Sequence, residues 1–172
     1  MVKIKKSIVI IFLLIFNSVY CFSFFGLFKK ESETKEITKT EVGKQNRVSE
    51  QQQVLELVNK ERVKKGLVPL KLNKKLNDIA LKKSNDMAIN NYFSHNSKKL
   101  GTPFEQMKKS GIKYKTAGEN IAKGQKTPQE VMTTWMNSKG HRDNIMNPKF
   151  TEMGISRDTQ NKYVWTQNFI GK

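Results

Sequence analysis

Three stretches with different hydrophobic patterning follow one another along the 172-residue chain. The first opens on the basic run Met1-Val-Lys-Ile-Lys-Lys6 and continues as Ser7-Ile-Val-Ile-Ile-Phe-Leu-Leu-Ile-Phe16. A cationic head followed by an apolar segment is the pattern of an export signal, so residues 1–28 are expected to serve as a signal or membrane anchor and not as part of a fold. The uncharged stretch from Ser7 to Phe28 is 22 residues long, enough to cross a bilayer at about 20 residues per span. Cys21 stands where a lipoprotein cysteine could stand, with Tyr20 in place of the small residue such a site prefers. Three fates are open: lipidation at Cys21, cleavage between Cys21 and Ser23, or retention as an anchor. Residues 29–50 then turn to Glu, Lys, Thr, Ser and Gln. They have too little apolar surface to order themselves, and as a coil they make a tether reaching about 25 Å.

Residues 51–172 carry the patterns of a folded domain. Val54, Leu55, Val58 and Arg62 recur at helical spacing, with Gly66 as the stop. Leu76, Ile79, Ala80 and Met87 form the stripe of a second helix, which Asn73 can cap. Shorter helices are predicted at Pro103–Lys109 behind Thr102 and at Pro128–Asn137 behind Thr127, each with proline in the first turn. Strands are expected at Lys113–Ala122, Glu152–Arg157 and Lys162–Ile170, the last two joined by a turn at Asp158–Asn161. Helices mixed with late antiparallel strands point to an α+β domain.

The charge changes this picture little. The formal net charge is +17, from 32 Lys and Arg against 15 Asp and Glu, and nearly all the cations are lysine. Lysine is a solvated point charge, without the planar fork that arginine offers to phosphates and guanine edges. No basic motif is interleaved with aromatics, so no nucleic-acid partner is expected. A weak attraction to anionic lipid or acidic polysaccharide remains. With Cys21 as the single cysteine, no intrachain disulfide can form, and the domain must rest on apolar packing.

Candidate chemistry gathers around the two histidines. His95 lies in Tyr92-Phe-Ser-His-Asn96, and His141 in Trp135-Met-Asn-Ser-Lys-Gly-His-Arg-Asp-Asn-Ile145. Between them is Thr116-Ala-Gly-Glu-Asn-Ile-Ala122, and near the end comes Tyr163-Val-Trp-Thr-Gln-Asn-Phe169. Each histidine alone reads as a structural residue, and Glu119 alone as a cap or ion-pair partner. Gly118 suits a close backbone approach and Asn120 a turn around Glu119. Trp135, Trp165 and Phe169 read as core aromatics, and Arg142 and Asn144 as ties for the segment after His141.

Together, and in this order, these four stretches resemble the CAP (SCP-like) superfamily of cysteine-rich secretory proteins, insect venom antigens and plant pathogenesis-related proteins, in its bacterial single-domain form. The resemblance spans about Gln52 to Lys172. It implies a three-layer α-β-α sandwich with a central antiparallel sheet, and a cleft lined by two histidines and acidic residues that holds a divalent metal in some relatives. The matching positions here are His95, Glu119 and His141. Two imidazoles and a carboxylate are a reasonable zinc set. The family's usual glutamate three positions after the tryptophan is Ser138 in this chain, so the four-residue cleft is incomplete. The aromatic-spaced loop associated with sterol binding is not evident between Lys98 and Lys115.

The expected function is an exported, surface-tethered binding module for a lipid, a glycan or a host or partner protein. The expected location is the cell surface, as an outer-membrane lipoprotein or anchored protein, with secretion as the other route. Two alternatives stand beside it. One is a metal-dependent hydrolase or peptidase in which His95 and His141 hold a metal or act as base and Glu119 orients water. There is no HExxH helix and no nucleophile elbow around Ser94 or Ser138, and Cys21 lies outside the domain. The other is a structural or antigenic surface protein whose histidine cluster serves stability.

Overall fold

The computed structural model describes residues 50–172. The export segment, Cys21 and the tether up to residue 49 lie outside the described residues.

Helix α1 (residues 50–64) buries Val54 and Val58 completely. It closes where Gly66 takes φ +68° and Leu67 N–H reaches back to the Arg62 carbonyl at 3.0 Å, a left-handed stop that glycine adopts without strain. Arg62, which shares the helical stripe, is fully buried as well. Its guanidinium donates to the carbonyls of Val68 (3.0 Å), Ile145 (2.8 Å), Asn147 (2.9 Å) and Phe150 (3.2 Å). The planar guanidinium meets four carbonyl acceptors at once, so one cation ties α1 to a chain segment more than eighty residues away.

Helix α2 (Lys74–Ile89) starts at Asn73, whose side chain accepts from Leu76 N–H, and buries Leu76, Ile79, Ala80 and Met87 as the periodicity predicts. Helix α3 (Pro103–Lys109) begins with a full capping box between Thr102 and Glu105, and α4 (Pro128–Asn137) with Thr127 accepting from Glu130 N–H. Helix α5 (Lys139–Ile145) has no counterpart in the sequence reading. It buries only Ile145, so it leaves no apolar stripe to detect.

Four strands make one sheet in the order β1 (Lys71–Leu72), β3 (Glu152–Arg157), β4 (Val164–Gly171), β2 (Thr116–Lys123). Strands β2, β4 and β3 pair antiparallel, and the two-residue β1, also unforeseen, adds parallel to β3 and makes the sheet mixed. In the β3–β4 turn Asp158 accepts from the amides of Gln160, Lys162 and Val164 at 2.7, 3.0 and 2.7 Å. These bonds hold Asn161 and Tyr163 at φ 54° and 53°, a conformation non-glycine residues rarely adopt.

Strand alternation sorts side chains into two cores. On one face Met153, Ile155, Trp165 and Phe169 pack with Val54 and Val58 of α1, Val131, Met132 and Trp135 of α4, and Ile145 of α5. On the other, Ile121, Val164 and Ile170 pack against α2 and Met107 of α3. The domain is thus an α+β three-layer sandwich. Gly154 of β3 lets α2 lie directly on the sheet, because a Cβ there would sit 2.3 Å from the Leu76 backbone.

Candidate functional site

Strand β2 lies at the sheet edge, so its alternating side chains present to both faces near one rim. Gly118 and Asn120 fall on the α5 side. A Cβ on Gly118 would stand 3.0 Å from Asn144 Oδ1 and from the Phe150 ring, so the close approach expected of this glycine is real. Asn120 does not bond a turn around Glu119, as the sequence suggested, but lies mid-strand and fully buried. It donates to the His141 carbonyl and to Gln167 Oε1, both at 3.1 Å. Asn144 donates to the Glu119 carbonyl (3.2 Å) and to Asn120 Oδ1 (2.9 Å). Arg142 donates to the Met136 carbonyl at 2.6 Å. The helix carrying His141 is therefore laced to the strand carrying Glu119.

Glu119 points to the α2 face, with its side chain 3% exposed. One carboxylate oxygen meets His95 Nδ1 at 2.8 Å, and the His95 side chain is 53% exposed. The other oxygen, Oε2, is buried without a protein partner. Burial pushes the Glu119 carboxyl above its ordinary range, with the His95 bond and charge pulling the other way. His141 Nδ1 is likewise buried without a protein partner. Burial holds His141 below the ordinary imidazole value, and the nearby charge of His95 adds to the effect. Asn168, directly across from Glu119 in the β2–β4 register, has both side-chain polar atoms buried and unpartnered. Unsatisfied buried polar atoms cost about 1–3 kcal/mol each, so a patch of them beside an exposed histidine is a functional feature to be explained.

The structure brings His95 and Glu119 into contact and sets His141 nearby. Ser138, at the position of the missing glutamate, is the boundary between α4 and α5 and makes no capping bond of its own. Glu130 is remote from this chemistry and accepts from Lys126 N–H at 2.7 Å. Among the described residues no three His, Cys, Asp or Glu side chains are placed to share a metal ion. His95 Nδ1 is paired with Glu119, so the arrangement is a histidine–carboxylate pair with a second imidazole beside it.

A polar cluster whose role sequence reasoning missed holds the His95 loop. Asp86, near the end of α2, accepts from Tyr92 Oη, from Ser97 Oγ at 2.6 Å and from Asn90 Nδ2 at 2.8 Å. Tyr92 and Ser97 flank His95, so the loop is clamped on both sides by one carboxylate. Burial opposes the charge on Asp86, but the bonds from Ser97 and Tyr92 and the charge of Lys83 outweigh it and hold the carboxyl below its usual range. Burial and the Asp86 bond push the Tyr92 hydroxyl up to about 12. Lys83 is fully buried, with its Nζ 3.3 Å from Tyr92 Oη and 5.1 Å from the ring centroid. Burial lowers its pKa, against the attraction of Glu119 and Asp86. The one available signal was polar residues inside the apolar stripe of α2, at Lys83 and Asp86.

A solved relative agrees with this architecture, and two curated relatives are similar in sequence. A protein of Bacillus subtilis (strain 168) described as "Uncharacterized protein YkwD" is 51% identical over 144 residues, covering 83% of this chain and 56% of the relative. The "Uncharacterized membrane protein YlbC" of the same strain is 38% identical over 127 residues, covering 74% and 36%. The chain thus spans about half or less of the length of these relatives. An extracellular protein containing an SCP domain, from Bacillus anthracis str. Ames, superposes with TM-score 0.70 at 36% identity, covering 75% of this chain and 42% of that one. The CAP profile, described as the cysteine-rich secretory protein family, matches residues 55–169, a span that holds the His95, Glu119 and His141 segments, strands β1 to β3 and most of β4. The chain belongs to the cysteine-rich secretory protein (CAP) family.

Proposed function

We propose that this protein is an exported CAP-domain binding module, held at the cell surface by residues 1–28, that receives a polar group of its ligand at His95, Glu119 and His141. The observation that carries this reading is the pair of buried, unpartnered atoms Glu119 Oε2 and His141 Nδ1 beside the exposed His95 ring. A ligand group that donates to the carboxylate and to the imidazole would relieve both. Export is supported by the basic and apolar opening of the chain and by the description of one relative as extracellular and another as a membrane protein.

The test is a thermal-shift titration of the full-length protein with zinc and other divalent ions, fatty-acid and sterol probes and short saccharides, beside a His95→Ala, His141→Ala variant. A saturable rise in Tm seen only with the unmutated protein supports the reading, since a ligand selective for the folded state stabilises it by mass action. No shift with any probe, together with a less stable variant, assigns the cluster to stability and refutes it.

A hydrolytic reading draws on one observation, the orientation of the His95 ring. Its Nδ1 faces a buried carboxylate while half of its surface meets solvent, as in a general base held in one tautomer. If zinc rearranges the site, the same titration detects it, and hydrolysis that persists in the double variant eliminates this reading.

A further inference from the structure

The loop after α2 borders a half-open pocket of about 480 Å³ that none of His95, Glu119 and His141 lines. Its inner wall includes the buried Asp86 and the half-buried Tyr92 ring, and its exposed rim carries Asn90, Asn96, Lys98 and Lys99. The volume falls in the range of small-ligand sites, about 300–1,000 Å³. Three features of the lining define what fits. The Asn96 side-chain amide can donate and accept, whereas the Asn90 amide donates to Asp86 and leaves its oxygen to accept. The tyrosine ring offers an apolar face amid these polar groups. The one carboxylate of the wall, Asp86, is already engaged by Tyr92, Ser97 and Asn90 and balanced by the buried Lys83, whereas the rim lysines stand exposed.

A lipid chain would cover the Asn96 amide without partnering it, and a neutral sugar would leave the lysines unused. A short sugar chain bearing carboxylates uses all three: C–H faces against Tyr92, hydroxyls against the asparagines, carboxylates against Lys98 and Lys99. We propose that this pocket is a second binding site, separate from the histidine cleft, for an acidic saccharide.

The experiment is isothermal titration calorimetry of the full-length protein with trigalacturonate and, as the uncharged control, chitotriose. Trigalacturonate is expected to bind with a dissociation constant below about 1 mM. A Lys98→Ala, Lys99→Ala variant should weaken it at least about tenfold, and Asn96→Ala should weaken it further. All three positions are exposed, and unchanged melting curves will show that the fold is kept. The His95→Ala, His141→Ala variant should bind trigalacturonate unchanged, which separates this site from the cleft proposed above. The proposal is overturned by the absence of heat with trigalacturonate or by equal affinity for chitotriose. It is equally overturned if binding survives in the lysine variant, which would reveal nonspecific attraction to a chain of charge +17, or if it is lost in the histidine variant.

Discussion

Replacing Asp86 by asparagine tests whether one carboxylate holds the His95 loop. The substitution keeps the shape and removes the charge, so the contacts from Tyr92, Ser97 and Asn90 become ordinary hydrogen bonds or mismatched ones. Charge-assisted bonds are roughly twice as strong as neutral ones, so each loses on the order of 1 kcal/mol. Three of them, with Lys83 left buried near one carboxylate fewer, give a loss of about 2–4 kcal/mol, as such losses are not fully additive. For a domain of this size 1 kcal/mol moves Tm by about 4 °C, which predicts a fall of roughly 10 °C. The pH dependence gives an independent check. Asp86 titrates below its unfolded value of 3.8, so its contribution is present above that value and lost as pH falls through the folded pKa. Asp86→Asn should therefore lose stability at neutral pH and show a shallower decline in acid. The assay is thermal unfolding followed by circular dichroism from pH 2 to 8, with hydrogen exchange at Lys99 and Leu100, whose amides bond to Ser97 Oγ at 3.1 and 2.9 Å. A Tm within about 2 °C of the unmutated protein at neutral pH, or unchanged protection of those two amides, would refute the clamp.

Three further outcomes follow from the same physics. Arg62→Met should cost about 3–6 kcal/mol by urea denaturation, because the carbonyls of Ile145 and Phe150 stay buried without their donors. A loss under about 1 kcal/mol would show that they find other partners. Gly154→Ala should destabilise by about 3 kcal/mol in the same assay, since the new methyl meets the α2 backbone and not a movable side chain. Cys21→Ser should abolish incorporation of labelled fatty acid into the protein in growing cells; if the unmutated chain takes up no label, lipidation at Cys21 is excluded.

What the sequence determined by itself was everything local. Caps at Asn73, Thr102 and Thr127, the stop at Gly66 and the apolar stripes of α1 and α2 depend on neighbours within a turn or two, and all were readable from spacing. Strand β3 was legible to the residue, whereas β2 and β4 were placed within about three residues of their observed ends, because strand ends depend on the partner strand. The order of the His95, Glu119 and His141 segments identified the family. Tertiary structure alone decided the rest. The two-residue β1 exists only because β3 offers it a backbone edge, and α5 is held by Asn144, Arg142 and Arg62 and not by an apolar face. Asn120, inside an expected strand but read as bonding a turn around Glu119, instead spends its side-chain amide on His141 and Gln167 from distant segments. The roles of Lys83 and Asp86 were hidden for the same reason. In a helix stripe they look like polar interruptions, and only the loop folding back over α2 turns one into a clamp and the other into its counter-charge.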